Sequence, residues 1–329
     1  MSYNKLYVKF RARRKDEFQF FKHQAVEAAL NNGFIPLGNG LPPAFIGRGL
    51  RKIYVKACSI LGTSLKLSKK KVLITSSGGD LMYESWPYFH CEIIPLLWDC
   101  WPESESSLYE SLQVLRVKEA FFTQREVARK VAEDLGIKTH WVPEGIDIRD
   151  YDKGQPLSSR VVDLYELGRQ MRTYHSVVME LVGEGYVSSY KSNTYSDEGK
   201  LISLAYPTAK SLIDALPQIK IIVSFPKSLT DPITSGGIET LTQRYWEGML
   251  SRSLVVGHCP KELYDILSYN PVVEVDWSDP KTQLMHLLAH IEDYQELVDR
   301  NYEAALKNAS WEERLSFIAK VLRDNDSTK

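Results

Sequence analysis

Cysteine chemistry is the first thing this 329-residue sequence lacks. Its four cysteines, Cys58, Cys91, Cys100 and Cys259, form no C-x-x-C pair and share no tight spacing. That pattern argues against a zinc knuckle and a disulfide scaffold, and it implies a reducing, cytoplasmic setting. Long apolar runs are also missing. Stretches such as residues 93–98 are far too short to span a bilayer, and the opening MSYNKLYVKFRARRK carries no apolar leader, so a soluble or peripheral protein is expected. A net charge of -1 excludes a globally basic nucleic-acid binder, and nucleic acid is not an expected partner. Neither H-E-x-x-H, G-x-x-x-x-G-K-[ST] nor G-x-S-x-G occurs, so metalloprotease, P-loop and α/β-hydrolase chemistries lack their motifs. No short-period repeat or low-complexity tract points to a solenoid or a disordered scaffold.

What is present begins with a charge asymmetry. Residues 1–71 carry fifteen Lys/Arg against three acids, +12, which leaves -13 for the remainder. Along the chain, apolar runs of strand length (KLYVKF, KKVLITSS, CEIIPLLW, EAFFTQ, THWVPEG) alternate with amphipathic stretches of helical period. After the polar segment DIRDYDKGQPLSS the pattern restarts with VVDLYELG, GYVSSYK, IKIIVSF, SLVVGH and PVVEVDW. The alternation predicts two α/β domains, each with a doubly wound parallel sheet, facing a cleft. The boundaries read as 1–153 for an N-terminal acceptor-side domain and 154–312 for a C-terminal nucleotide-binding domain. A closing helix, 313–329, would return to the N-terminal domain.

In such folds ligands bind beyond the carboxyl ends of the strands, so the strand-to-helix loops come under scrutiny. The richest is residues 224–249, SFPKSLTDPITSGGIETLTQRYWEGM. Ser235, Gly236 and Gly237 form a turn, and Thr240 with Gln243 matches a capping box, which predicts a helix start near Thr240. Glycines before a helix N-terminus offer amides to an anion such as phosphate. Lys227 before the turn and Arg244 after it could add charge. Glu239 and Glu247 bracket this site; counted from the predicted start, Glu247 lies ~10 Å further along the helix. Carboxylates at that separation suit the vicinal hydroxyls of a sugar and of a ribose on either side of a diphosphate. Taken alone, the spacing is also what two acids on a solvated helix would show.

The segment GGIETLTQRYWEGMLSRSLVVGHCPKEL resembles the E-x(7)-E region of retaining glycosyltransferases of the "glycosyl transferases group 1" type, which have the GT-B fold. WVPEGID is similar to that family's turn at the end of the N-terminal domain, DLYELGRQMR to its first C-domain strand with the following basic residue, and NASWEERLSFIAKVL to its closing helix. The resemblance covers residue 115 onward. It implies that Glu239 meets donor-sugar hydroxyls, that Glu247 meets the ribose and that Arg169 holds the diphosphate. A second phosphate cation, usually a lysine in the family, falls to Arg172, Lys227 or Arg244. The resemblance also implies no dedicated nucleophile and no obligatory metal or other cofactor. A nucleotide-diphosphate sugar would be the substrate and a saccharide or lipid-linked saccharide the acceptor. A hexosyltransferase in surface polysaccharide or glycoconjugate assembly is the leading expectation, ahead of a catalytically silent homologue partnering a true transferase, a nucleotide-sugar epimerase or a phosphorylase.

The N-terminal half departs from the family. KFRARRKDEF has no glycine loop, and GNGLPPAFIGRG, residues 38–49, reads as a loop. Gly78 and Gly79 of SSGGD are the donor-side candidates there, with His90 as the counterpart of the family's sugar-proximal histidine; Asp99 and Glu103 are conceivable helpers. Asp150 and Asp152 form a D-x-D in the polar linker, too far from a strand end for a metal site. His286 and His290, four apart, read as helix-packing residues. Residues 47–71 interleave eight bases with Leu50, Ile53, Tyr54, Val55, Ile60, Leu61, Leu65 and Leu67. Such a stretch suits an anionic membrane surface, with the protein peripheral at its inner face.

Overall fold

The computed structural model describes residues 5–10, 21–38, 44–196 and 200–327. The strands are β1 Leu6–Lys9, β2 Ile35–Leu37, β3 Lys71–Ser77, β4 Glu92–Trp98, β5 Glu119–Phe122, β6 Lys138–Trp141, β7 Val162–Glu166, β8 Tyr190–Ser192, β9 Thr194–Tyr195, β10 Leu201–Ser203, β11 Ile219–Ser224, β12 Leu254–Gly257 and β13 Val273–Glu274. The helices are α1 Phe21–Asn31, α2 Ala44–Leu61, α3 Leu81–Glu84, α4 Glu105–Val114, α5 Arg125–Leu135, α6 Arg172–Gly183, α7 Ala209–Ala215, α8 Lys227–Thr230, α9 Pro232–Ser235, α10 Gln243–Leu250, α11 Lys261–Leu267, α12 Pro280–Ala289, α13 Gln295–Asn308 and α14 Trp311–Ser327. They gather in two compact units, and the chain passes from the first to the second at Pro143–Glu144.

The first unit holds a six-stranded parallel sheet in the order β2-β1-β3-β4-β5-β6. Its central strands are buried almost throughout, with Val72, Leu73 and Ile74 on β3 and Ile93, Ile94, Leu96 and Leu97 on β4. Near-continuous apolar runs of this kind are what a parallel sheet covered on both faces requires. α5 ends where Gly136 adopts a left-handed φ of 64° and donates its N–H to Ala132 O, a regular glycine stop. The last helix, α14, belongs to this unit. It buries Trp311, Leu315, Ile318 and Leu322 beside Ala25 and Ala29 of α1, at about 2 kcal/mol of hydrophobic stabilisation for each large side chain. Residues 39–43 of the glycine-rich stretch lie outside the described residues. Its remainder is not a loop: Ala44–Gly49 forms the first turns of α2, because the helical period of the segment outweighs its two glycines.

The second unit holds a five-stranded parallel sheet, β13-β12-β11-β7-β8, and a separate antiparallel β9–β10 pair. Glu166 pairs with Val223 and Ser224 with Gly257, so β7, β11 and β12 end nearly level. Gly257 is obligatory there: at φ 148° an added Cβ would stand 2.0 Å from Ser224 O. The polar segment between the two α/β halves packs onto this unit. Arg160 is buried and donates to Ile219 O (2.8 Å), Ser251 O (2.8 Å), Lys153 O (3.0 Å) and Ser253 Oγ (3.1 Å), pinning the segment to the start of β11 and to the loop before β12. Among the described residues, no helix is long and apolar enough to cross a membrane.

Candidate functional site

The polar side chains of the second unit converge where three neighbouring strands end. β7 contributes Glu166 and the turn Leu167–Gly168–Arg169, β11 the loop that carries Lys227 to Thr242, and β12 the turn His258–Cys259. Adjacent parallel strands deliver their exits side by side, so residues far apart in sequence meet at one edge.

Arg244, on the first turn of α10, lies over Gly168 and donates to Leu167 O at 3.1 Å. Gly168 has φ 90°, and a Cβ on it would come 2.6 Å from Arg244 Nη1, so the glycine is what lets the guanidinium settle there. Burial opposes the charge of Arg244 and lowers its pKa, and nearby Arg169 adds repulsion. Arg169 itself is exposed at the tip of the turn, while Arg172 is exposed at the first position of α6. Arg169 and Arg244 are therefore brought together at the end of β7. Lys227 is buried at the start of α8, 4.0 Å from Asp231.

The two glutamates have opposite environments. Glu247 is 5 % exposed on α10. Burial lifts its pKa to about 7, only partly countered by Arg244 and by the Tyr151 hydroxyl, which donates to its Oε1 across a long 3.5 Å. Glu239 is tied into the protein at both oxygens: Oε1 accepts the Lys261 N–H at the start of α11 (2.7 Å) and Oε2 meets His258 Nε2 (3.0 Å). Burial disfavours its charge, but these bonds prevail and hold its carboxyl below the ordinary value. His258 also reaches Glu274 through Nδ1 at 3.0 Å, and the two carboxylates raise its pKa to about 10. The imidazolium is thus the hub of a Glu239–His258–Glu274 chain.

The helix start differs from the expected one. α10 begins at Gln243, and Thr242 in the capping position makes no side-chain cap. Thr240 is buried and turns toward Glu262, whose Oε2 also accepts the Leu241 N–H at 2.7 Å. The helix is capped from a distance: Glu144 Oε2 accepts the Gln243 N–H (3.1 Å), while Gln243 Nε2 donates to Gly145 O (2.7 Å) instead of reaching back to Thr240. The glycine turn does not present free amides. Gly236, at φ 59°, closes α9 with its N–H on Pro232 O, Gly237 N–H meets Ser235 Oγ, and Ile238 N–H meets Ser235 O.

A cluster not singled out in the sequence stands at the end of β7. Glu166 is buried; its Oε2 accepts from Tyr190 and meets His175 Nδ1 at 2.6 Å, while Oε1 has no hydrogen-bond partner among the described residues. The bond to Glu166 raises the His175 pKa. The sequence signal was a glutamate closing the strand VDLYE, at the carboxyl end where such folds place their ligands.

In the first unit, Gly78 and Gly79 follow β3 at its carboxyl end, where Asp99 follows β4. A Cβ on Gly78 would come 3.0 Å from Cys100 Cα, so close packing alone accounts for that glycine. His90 precedes β4 and is exposed at the opposite, amino end of the sheet, where its carbonyl accepts the N–H groups of Leu67 and Ser68. The fold does not bring His90 to Gly78 and Gly79. Glu103 is exposed, as are Asp150 and Asp152; Asp152 accepts the Gly154 N–H. His286 and His290 do not pack inward: their rings lie 4.5 Å apart on the exposed face of α12. No group of three or more His, Cys, Asp or Glu side chains suited to a metal occurs among the described residues.

No protein-family model and no curated protein sequence matches the chain. Its fold does have solved counterparts. A glycosyltransferase from Rickettsia africae superposes with a TM-score of 0.55 at 12 % identity, covering 98 % of this chain and 99 % of that one. HepE of Anabaena, solved in complex with UDP and glucose, has a TM-score of 0.60 at 8 % identity over 97 % of this chain and 100 % of its own. Sucrose-phosphate synthase from Thermosynechococcus elongatus reaches 0.51 at 11 % identity, covering 90 % and 84 %. The fold, two parallel-sheet α/β domains of six and five strands, is of the GT-B type.

Proposed function

We propose that this protein is a glycosyltransferase that uses a nucleotide-diphosphate sugar as donor, working with retention of configuration on a saccharide or lipid-linked saccharide. The observation that carries the reading is the pairing of Arg169 and Arg244 at the end of β7 with a buried carboxylate, Glu247, close to Arg244. Support comes also from the solved complexes of the structural counterpart HepE with UDP and with UDP-glucose.

The chemistry asked of such a site is electrostatic. As the bond from the sugar to the diphosphate breaks, charge builds on the leaving phosphate, and guanidinium groups already in place stabilise it without reorganisation. In the present arrangement Arg244 is braced by Leu167 O, and Arg169 is its exposed partner. Arg172 and Lys227 remain additional phosphate ligands in this reading. Glu247 takes the ribose hydroxyls as an anion, so donor binding expels its proton. Glu239 takes sugar hydroxyls, oriented by His258, with Ser235, Gly236, Gly237 and Thr240 shaping the surrounding loop. Gly78 and Gly79 are the first-unit contacts carried by the family resemblance; His90, which the resemblance also implied, stands at the amino edge of the sheet and has no part in this reading. No metal step enters. Hexosyl transfer in polysaccharide or glycoconjugate assembly, at the inner face of an anionic membrane reached through residues 47–71, is the setting that the charge pattern suggests.

The experiment is thermal melting of the protein against a panel of nucleotide sugars and free nucleoside diphosphates, followed by a donor-hydrolysis assay. Stabilisation by a nucleotide sugar, lost in Glu247→Gln, is the expected result; no stabilisation by any member refutes the donor assignment. A catalytically silent binding partner is the second reading, favoured by the full engagement of the Glu239 carboxylate. Slow release of sugar from the stabilising donor without acceptor decides for the transferase.

A further inference from the structure

The amino edge of the first sheet carries a feature that the donor site does not use. The segment after α2 crosses this edge, held by Ser64 N–H on Val114 O (2.8 Å) and by Leu67 and Ser68 N–H on His90 O (3.0 and 2.9 Å). Beneath it opens a groove of about 570 Å³ lined by Lys66, Lys69, Arg116 and Lys118, with Glu92 as its one acid. These residues precede β3, β4 and β5 or stand at their first positions, so they lie at the end of the sheet opposite to Gly78 and Asp99. Lys66 is anchored by Phe89 O and Cys91 O (3.1 and 2.7 Å), and burial lowers its pKa to about 8. Lys69, Arg116 and Lys118 are exposed.

Leu67 lines the groove, and the chain leading to it from the end of α2 carries further large aliphatic side chains in water. Ile60, Leu61, Leu65 and Leu67 are 75, 72, 67 and 80 % exposed. Further back on α2, Ile53 is exposed on the same outward face as Lys52 and Lys56, whereas Tyr54 turns inward to stack on Phe89 at 4.9 Å. An amphipathic helix normally hides its aliphatic residues. Here the inner face carries the half-buried Tyr54 and the buried Cys58, and the outer face mixes isoleucine with lysine. A small soluble anion would need the cations but not the leucines, and a nucleic acid would need aromatic platforms where the rim is aliphatic. Cations beside exposed aliphatic side chains match the headgroup and acyl layers of an anionic bilayer.

We propose that the amino edge of the first sheet is a membrane-docking surface, with the groove of Lys66, Lys69, Arg116 and Lys118 seating the phosphate of an anionic phospholipid and Ile60, Leu61, Leu65 and Leu67 entering the acyl boundary. The inference rests on the membrane part of the proposed function and gives it an address: the docking face is the edge away from the strand exits of this unit, and it recognises the bilayer itself and not the acceptor.

The test is flotation of the full chain with phosphatidylcholine vesicles, with and without phosphatidylglycerol. Recruitment by the anionic vesicles only is expected. Each cation near an anionic surface contributes ~1 kcal/mol, about fivefold in partitioning, so K69E with K118E should lower recruitment by about twenty-five-fold or more. L65S with L67S should lower it by about tenfold or more at equal charge. All four side chains are exposed, and both variants should keep the wild-type melting temperature and its response to nucleotide sugar. Failure of the wild type to float, or undiminished flotation of either variant, overturns the docking surface while leaving the donor response intact. Loss of flotation in the charge variant alone, together with competition by inorganic phosphate, assigns a soluble anion and also overturns it. Loss of the donor response in wild type with flotation retained strikes the proposed function instead.

Discussion

The second unit and the first treat their charges in contrary ways. At the strand exits of the second unit, Glu239, Glu247, His258, Glu274 and Arg244 are partly or wholly withdrawn from water and held by one another, by backbone or, for Glu247, by the Tyr151 hydroxyl, and their pKa values move accordingly. At the amino edge of the first, Lys69, Arg116 and Lys118 stand in water beside exposed leucines. A preorganised, desolvated set of charges suits a small ligand that must be oriented, because its interactions gain strength as water is excluded. An exposed mixture of cations and aliphatics suits a broad partner that supplies its own low-dielectric side.

That contrast can be broken by substitution, beginning where the second unit is least tolerant. Gly257→Ala forces a Cβ against Ser224 O, and chemical unfolding should show a loss of about 4 kcal/mol or failure to fold. Arg244→Ala removes a charged donor from the strand exit, and calorimetric titration with a nucleoside diphosphate should show affinity reduced by about ten- to a hundredfold, from the ~1.5–3 kcal/mol of a charge-assisted bond.

The pH dependence sharpens the comparison further. Glu247 has its pKa raised from an ordinary 4.5 to about 7, so its protonated form stabilises the fold fully below pH 4.5, and that contribution is lost as pH rises through 7. Denaturation across this window should show a decline in stability that Glu247→Gln flattens. Donor affinity should move the other way, rising as Glu247 ionises. His258 is raised from 6.5 to about 10, so its contribution is present below 6.5 and fades as pH climbs through 10, weakened by solvent screening of this partly exposed ring; His258→Gln should remove that second decline. The smallest effect belongs to the first unit. Leu65→Ser with Leu67→Ser should change unfolding free energy by no more than about 0.5 kcal/mol, since the side chains are already solvated.

Much of the architecture was legible beforehand. Runs such as VLITSS and IKIIVS are short, β-branched and largely apolar, as buried parallel strands are, and their alternation with helical periods pointed to two α/β sheets. The loop after β11 was identifiable because its glycines, acids and cations concentrate within twenty-odd residues. The start of α10 was misplaced, because a local capping box competes with a distant one: Glu144 caps the helix from almost a hundred residues away, and Thr240 is drawn to Glu262. The inward packing expected of His286 and His290 failed for a related reason, since i, i+4 spacing states that two residues share a face but not which face is covered.

The two glutamates at the centre of the reading divide the same way. Sequence alone determined that Glu239 and Glu247 lie in a strand-to-helix loop and on the helix it leads into, with arginines nearby. Only the tertiary structure decided that Glu247 is buried near neutrality beside Arg244 and Tyr151, while Glu239 is locked to His258 and the start of α11. Spacing along a chain sets which residues can share an element. The charge state of a carboxylate depends on water, donors and neighbouring charges delivered by other strands, and these exist only once the sheet has aligned its ends.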